Sequence, residues 1–151
     1  MTTVYDVKAE DLIADIALKI KKDKNIAPPA WNNLVKTGVN RTIPPHDKEW
    51  WYVRLASILR RVYLDGPVGI SRLRSFYGGK HRKGVRRNRF VKSSGMVIRT
   101  GLKQLETAGY IDKSKKGRKI SVKGQSFLDN TAHEIMQKYI SKKTIPGIEK
   151  Y

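Results

Sequence analysis

Between Asp47 and the pair Gly66-Pro67 runs KEWWYVRLASILRRVYLD, a stretch that can hide its apolar side chains in essentially one way. At 100° per residue, Trp51, Leu55, Ile58, Leu59 and Val62 share one broad helical face, widened by Tyr52, Ala56 and Tyr63. A face that wide needs several neighbours, so the stretch predicts a central helix over 48–64 with the rest of the chain packed around it. Asp47 is its expected N-cap and Gly66-Pro67 its stop. Arg54, Arg61, Trp50 and Ser57 fall together on the opposite side. Trp50 has two readings there: a surface for a base or a guanidinium, or a side chain packed under the loop before Asp47.

The flanking periodicities supply the neighbours. A first helix is expected from Asp6 as cap to about Lys22, burying Ala9, Leu12, Ile13, Ile16, Ala17 and Ile20. Its acids Glu10, Asp11 and Asp15 read as a solvated face matched to the helix dipole. Pro28-Pro29 predicts a short helix holding Trp31, Leu34 and Val35. A short helix with Ile70, Leu73 and Phe76 inward should stop at Gly78-Gly79. Another should run from Ser93 or Ser94 to about Ala108, with Ile98, Leu102 and Leu105 in the core and Met96, Arg99 and Lys103 along another side. Gly101 in its middle costs about 1 kcal/mol against Ala, which marks close approach of a neighbour. Two short strands then surround a Lys-Lys-Gly turn in YIDKSKKGRKISV, before a last helix over 123–140 and a flexible basic tail at 141–151.

Charge decides the class of partner. The net charge is +19 over 151 residues, and from Gly66 to Leu105 there are eleven Lys and Arg and no Asp or Glu. A compact chain repels itself at that charge, so a polyanion is expected to neutralise it. Nucleic acid, an anionic membrane and an acidic protein are the candidates, and the membrane is the weakest, since no basic helix keeps a bulky apolar face after packing. The densest part is a basic loop, 79–92, expected to be mobile when free and to clamp phosphates through Lys80, Arg82, Lys83, Arg86, Arg87, Arg89 and Lys92. A solvated charge run or a nuclear-import signal is the competing reading, and it leaves the helix arginines unexplained.

Other chemistries find no support. Cysteine is absent, which excludes disulfides and thiolate zinc sites. His46, His81 and His133 lack metal-ligand spacing, and GGKHRKG is not a P-loop. No catalytic constellation and no cofactor are expected. Without a secretory signal or a membrane-length apolar run, the chain reads as intracellular.

From residue 48 the order helix, helix, helix, hairpin, helix resembles a winged-helix domain, whose third helix faces nucleic acid. Arg99 and Lys103 would do so here, with Lys115, Lys116 and Arg118 on the wing. More specifically, HDKEWWYVRLASILRRVYLDG, VGISRLRSFYGGKHRKGV and GLKQLETAGYIDKSKKGRKISVKGQSFL resemble the family of the nineteenth small-subunit ribosomal protein of archaea and eukaryotes. The resemblance spans about residues 4 to 140 and is most specific in Trp50-Trp51-Tyr52 with Arg54, Tyr77-Gly78-Gly79 and Gly117-Arg118-Lys119. It implies a structural protein bound to ribosomal RNA in the subunit head and active in maturation of the precursor RNA. It also implies RNA contacts at Arg54, Arg60 and Arg99 and along Lys80 to Arg89. The expectation is a mainly α, winged-helix-like single domain over 1–151 with one small β-hairpin. It would be a cytoplasmic, cofactor-free monomer that joins RNA and neighbouring proteins of the small subunit. A winged-helix DNA-binding regulator is the alternative, and an RNA-processing enzyme the third. The cysteine-free, Lys/Arg-rich composition leans archaeal.

Overall fold

A computed structural model describes residues 2–141, so the expected flexible tail lies, beyond Ser141, outside the described residues. The order is α1 Ala9–Lys21, α2 Trp50–Asp65, α3 Ile70–Phe76, β1 Gly79–Lys83, β2 Arg86–Val91, α4 Gly95–Thr107, β3 Ile111–Ser114, β4 Gly117–Ile120 and α5 Val122–Ser141. The fold is mainly α and winged-helix-like.

Helix α2 is the centre. Trp51, Leu55, Ala56, Ile58, Leu59 and Val62 are buried on it, against Leu12, Ile16 and Ile20 of α1, Ile98, Leu102 and Leu105 of α4, and Leu128 of α5. Burial of each such side chain contributes on the order of 1.5–3 kcal/mol. The buried Trp51 indole still finds a partner, donating to Gln104 Oε1 at 2.9 Å, and Gln104 donates in turn to the Ala27 carbonyl at 2.7 Å. Close approach at Gly101 is confirmed: a Cβ there would stand 2.9 Å from Leu55 Cδ2. Gly66 ends α2 at φ 69°, a left-handed backbone that glycine takes without strain.

Helix α1 is clamped to α5 by charge. Lys138 pairs with Asp15 at 2.7 Å, Lys19 with Glu134 at 2.7 Å, and the Tyr139 hydroxyl donates to Asp11. Glu10 and Asp11 stay exposed in the first turn of α1, as expected, while Asp11 and Asp15 also bind α5. The wing β3–β4 is antiparallel with Ser114 opposite Gly117, so Lys115-Lys116 form its turn. A bridge between Val68 and Arg118, with both backbone bonds at 2.9–3.0 Å, fastens the wing to the start of α3.

Several expectations give way. Residues 79–92 are not a loop: β1 and β2 pair antiparallel in a second hairpin, turned at Gly84-Val85 with Gly84 at φ 64°. The backbone ladder needs no apolar side chains, which is why the charge pattern concealed it. The expected helix after Pro28-Pro29 is only turns, with Asn32 N on Pro29 O and Leu34 N on Trp31 O. Asp6 accepts from the backbone and hydroxyl of Thr3 instead of capping α1, which begins after Lys8. Helix α2 begins after Glu49, not Asp47, and Ser94 precedes α4 without a side-chain cap bond. Phe76 is half exposed rather than inward.

Candidate nucleic-acid interface

The sequence scatters its arginines, and two of those on α2 come to lie over the aromatic rings at the end of α3. The Arg54 guanidinium lies over the Tyr77 ring, 4.4 Å from its centroid, and Arg61 lies 4.2 Å over Phe76. Phe76 and Tyr77 meet edge to face at 4.9 Å, which joins the two pairs into a ladder. The Tyr77 hydroxyl is fixed by Ser57 Oγ at 2.8 Å. Burial pushes the Tyr77 phenol upward, while the Ser57 hydrogen bond and then Arg54, Arg61 and Arg60 pull it back. Arg60, which helical geometry puts about 100° or more from both other arginines, therefore belongs to the same electrostatic neighbourhood. Burial lowers the Arg54 pKa, but a guanidinium keeps its charge at any physiological pH.

Trp50 takes the packing alternative. It is 7 % exposed and stands edge to face with Trp51 at 5.6 Å, beside the loop carrying Pro44 and Pro45. Little of it is left to meet a base.

The hairpin extends the charge. Lys80, Arg82, Lys83, Arg86, Arg87 and Arg89 are all exposed, and Lys83 stands opposite Arg86 across the ladder. Like charges facing each other across strands destabilise a hairpin until something neutralises them. At its base, a Cβ on Gly78 would fall 2.5 Å from the Val91 carbonyl, so only glycine lets α3 run so close to β2. Lys92 donates to Ser71 Oγ at 3.2 Å, tying the strand end back to α3.

Helix α4 presents Arg99 and Lys103 to solvent. Arg99 reaches back along the helix, and a Cβ on Gly95 would lie 2.9 Å from its Nη1 and 3.3 Å from Arg74 Cδ. Arg74 itself donates to the Ser93 carbonyl at 3.0 Å. Arg99 thus joins the α3 and hairpin end of the basic face. The wing divides: Lys115 and Lys116 are exposed at the turn, whereas Arg118 is held by Glu106 of α4 at 2.8 Å.

Of the basic residues singled out in the sequence, only Arg61, paired with Asp65 at 2.7 Å, and Arg118 have a carboxylate partner among the described residues. Sequence reasoning missed Tyr77 and Phe76 as the platforms for Arg54 and Arg61, because no local pattern pairs residues so far apart. It also passed over Lys36 and Arg41, whose loop carries no charge run but lines a groove with Lys80 and Arg82. Among the described residues no group of three His, Asp or Glu side chains is placed to hold a metal ion, and no helix is long and apolar enough to cross a membrane.

The chain is similar over its whole length to proteins named small ribosomal subunit protein eS19. That of Aeropyrum pernix is 44% identical over 154 residues, covering 100% of this chain and 99% of the relative. The Haloarcula marismortui and Thermoplasma acidophilum proteins are 41% and 40% identical, with the same coverage. The model of the family described as ribosomal protein S19e matches residues 3–138. The chain belongs to the ribosomal protein S19e family, whose members are constituents of the ribosome and not enzymes.

Proposed function

We propose that the protein is a structural constituent of the small ribosomal subunit, held in the subunit head by ribosomal RNA and needed for maturation of the precursor RNA. The observation that carries this reading is the concentration of cations on α2, the β1–β2 hairpin and α4. Arg54, Arg60, Lys80, Arg82, Lys83, Arg86, Arg87, Arg89, Arg99 and Lys103 sit on these elements with no carboxylate partner among the described residues. A surface of that kind gains free energy when phosphates displace its counterions.

The division of labour follows from rigidity. Arg54 and Arg99 sit on helices, where a fixed guanidinium can pair bidentately with a phosphate or stack on a base. The hairpin cations sit on a ladder two strands wide and track the RNA backbone. Lys115 and Lys116 add contacts from the wing. The free protein is a monomer, works in the cytoplasm, and meets neighbouring small-subunit proteins once bound.

Co-sedimentation tests this reading. Tagged protein in lysate should travel with small subunits and with their precursors, and depletion should leave precursor RNA unprocessed. Protein that stays out of the subunits and purifies as a homodimer on duplex DNA would instead support a winged-helix regulator.

A further inference from the structure

The loop 36–42 is fastened against the basic hairpin by contacts that no local pattern announces. Ser94 N donates to the Thr37 carbonyl at 2.9 Å, Gly38 bridges to Ser93, and Arg41 N closes a turn on the Gly38 carbonyl at 3.1 Å. Asn40 presses on β1 so closely that a Cβ on Gly79 would fall 2.7 Å from its amide nitrogen. Between loop and strand opens a groove of about 350 Å³ with Lys36 and Arg41 on one side and Lys80 and Arg82 on the other. No carboxylate lines it. Among the described residues none of these four cations has an ion-pair partner. Four unscreened cations around one groove repel each other unless an anion enters.

Arg41 and Thr42 also form part of the wall of the neighbouring cavity, about 560 Å³, together with Arg54 and Tyr77. Arg41 is near enough for its charge to act on Arg54. Arg41 thus links the hairpin groove to the α2 cavity, whose wall also includes Asp47.

We infer that the groove between loop 36–42 and β1 is a binding site for the sugar-phosphate backbone of an RNA strand, with Lys36 and Arg41 as phosphate ligands facing Lys80 and Arg82. The inference rests on the RNA-binding reading above and adds a segment that neither charge density nor motif had assigned. Cations on two opposed walls grip a strand from both sides, whereas a flat patch touches only one.

The test uses the full-length protein and a transcript of small-subunit ribosomal RNA, titrated over a range of salt. The double variant Lys36→Gln, Arg41→Gln is compared with Lys22→Gln, Lys24→Gln, which removes equal charge from exposed positions outside the groove. The groove variant should flatten the slope of log K against log salt by about 1.4–1.8, two phosphates' worth at about 0.7–0.9 each. The control pair should keep the wild-type slope. A photo-crosslinking residue at the exposed Val39, which also lines the groove, should label the transcript. A groove variant with the wild-type slope, a slope loss shared equally by the control pair, or no crosslink from position 39 would each overturn the inference and leave RNA binding elsewhere intact. A wild-type protein without salt-dependent binding would overturn the proposed function as well.

Discussion

Arg54 lies 4.4 Å over the ring of Tyr77, whose hydroxyl is bonded to Ser57 at 2.8 Å, so one stack fixes a basic side chain between α2 and the end of α3. A cation over an aromatic face contributes about 0.5–2 kcal/mol, more as water is excluded. Arg54→Lys keeps the charge and loses the planar stack. It should weaken RNA binding several-fold and lower stability by about 1 kcal/mol, read by RNA titration and thermal melts. Tyr77→Phe keeps the ring but leaves Ser57 without its partner, costing about 0.5–1.5 kcal/mol with a smaller effect on RNA. Equal losses of RNA affinity in both variants would mean that the stack matters only for folding.

The contact between Gly101 and Leu55 is steric and should appear as coupling. Leu55→Ala should cost about 2–5 kcal/mol, as should Ile58→Ala. Gly101→Ala improves helix propensity by about 1 kcal/mol but overpacks a buried leucine at a cost of about 1–3 kcal/mol, so a net loss is expected. With both Leu55→Ala and Gly101→Ala the new methyl enters the space the leucine left. The double variant should therefore lose less than the sum of the single losses in a denaturant cycle.

The two hairpins should respond differently to neutralisation. Changing Arg86, Arg87 and Arg89 together to Gln should flatten the salt slope by about 2–3. Melting temperature should hold or rise, because like charges no longer face each other across β1 and β2. On the wing, Arg118→Gln should cost up to about 1 kcal/mol of stability through its lost pairing with Glu106, with little change in slope. Lys115→Gln with Lys116→Gln should show the reverse. A wing in which Arg118 alone controls the slope would contradict this division.

Alkaline pH offers a further check. Tyr63, Tyr110 and Tyr139 are each pushed up to about 12, by burial first and then by hydrogen bonds to Asp129, Asp23 and Asp11. The folded state holds these protons when the unfolded chain has released them, so stability is complete below about pH 10 and falls as pH rises towards 12. Phenolate absorbance should lag behind the free-tyrosine curve until the protein unfolds. Replacing Tyr139 by Phe should soften the pH dependence in that window.

What the sequence determined by itself is the part of the structure written in local periodicity. The buried faces of α1, α2, α4 and α5 follow from spacing of three and four residues, and the Lys115-Lys116 turn of the wing from residues adjacent in the chain. The net positive charge likewise named a polyanion before any fold was known. Tertiary structure alone decided the rest. The β1–β2 hairpin has no alternating apolar face to betray it, and its ladder depends on backbone pairing and on Gly78 and Asn40 at its base. Asp6 bonds to Thr3 instead of capping α1, and Asp11 and Asp15 gained partners in Tyr139 and Lys138 of α5. Arg54 and Arg61 came to lie over Tyr77 and Phe76, and Lys36 and Arg41 opposite Lys80 and Arg82, because α2, α3 and the loop pack side by side. A helix is stabilised by bonds four residues apart and so is legible in any short window, whereas a binding surface is built from residues that only packing makes neighbours.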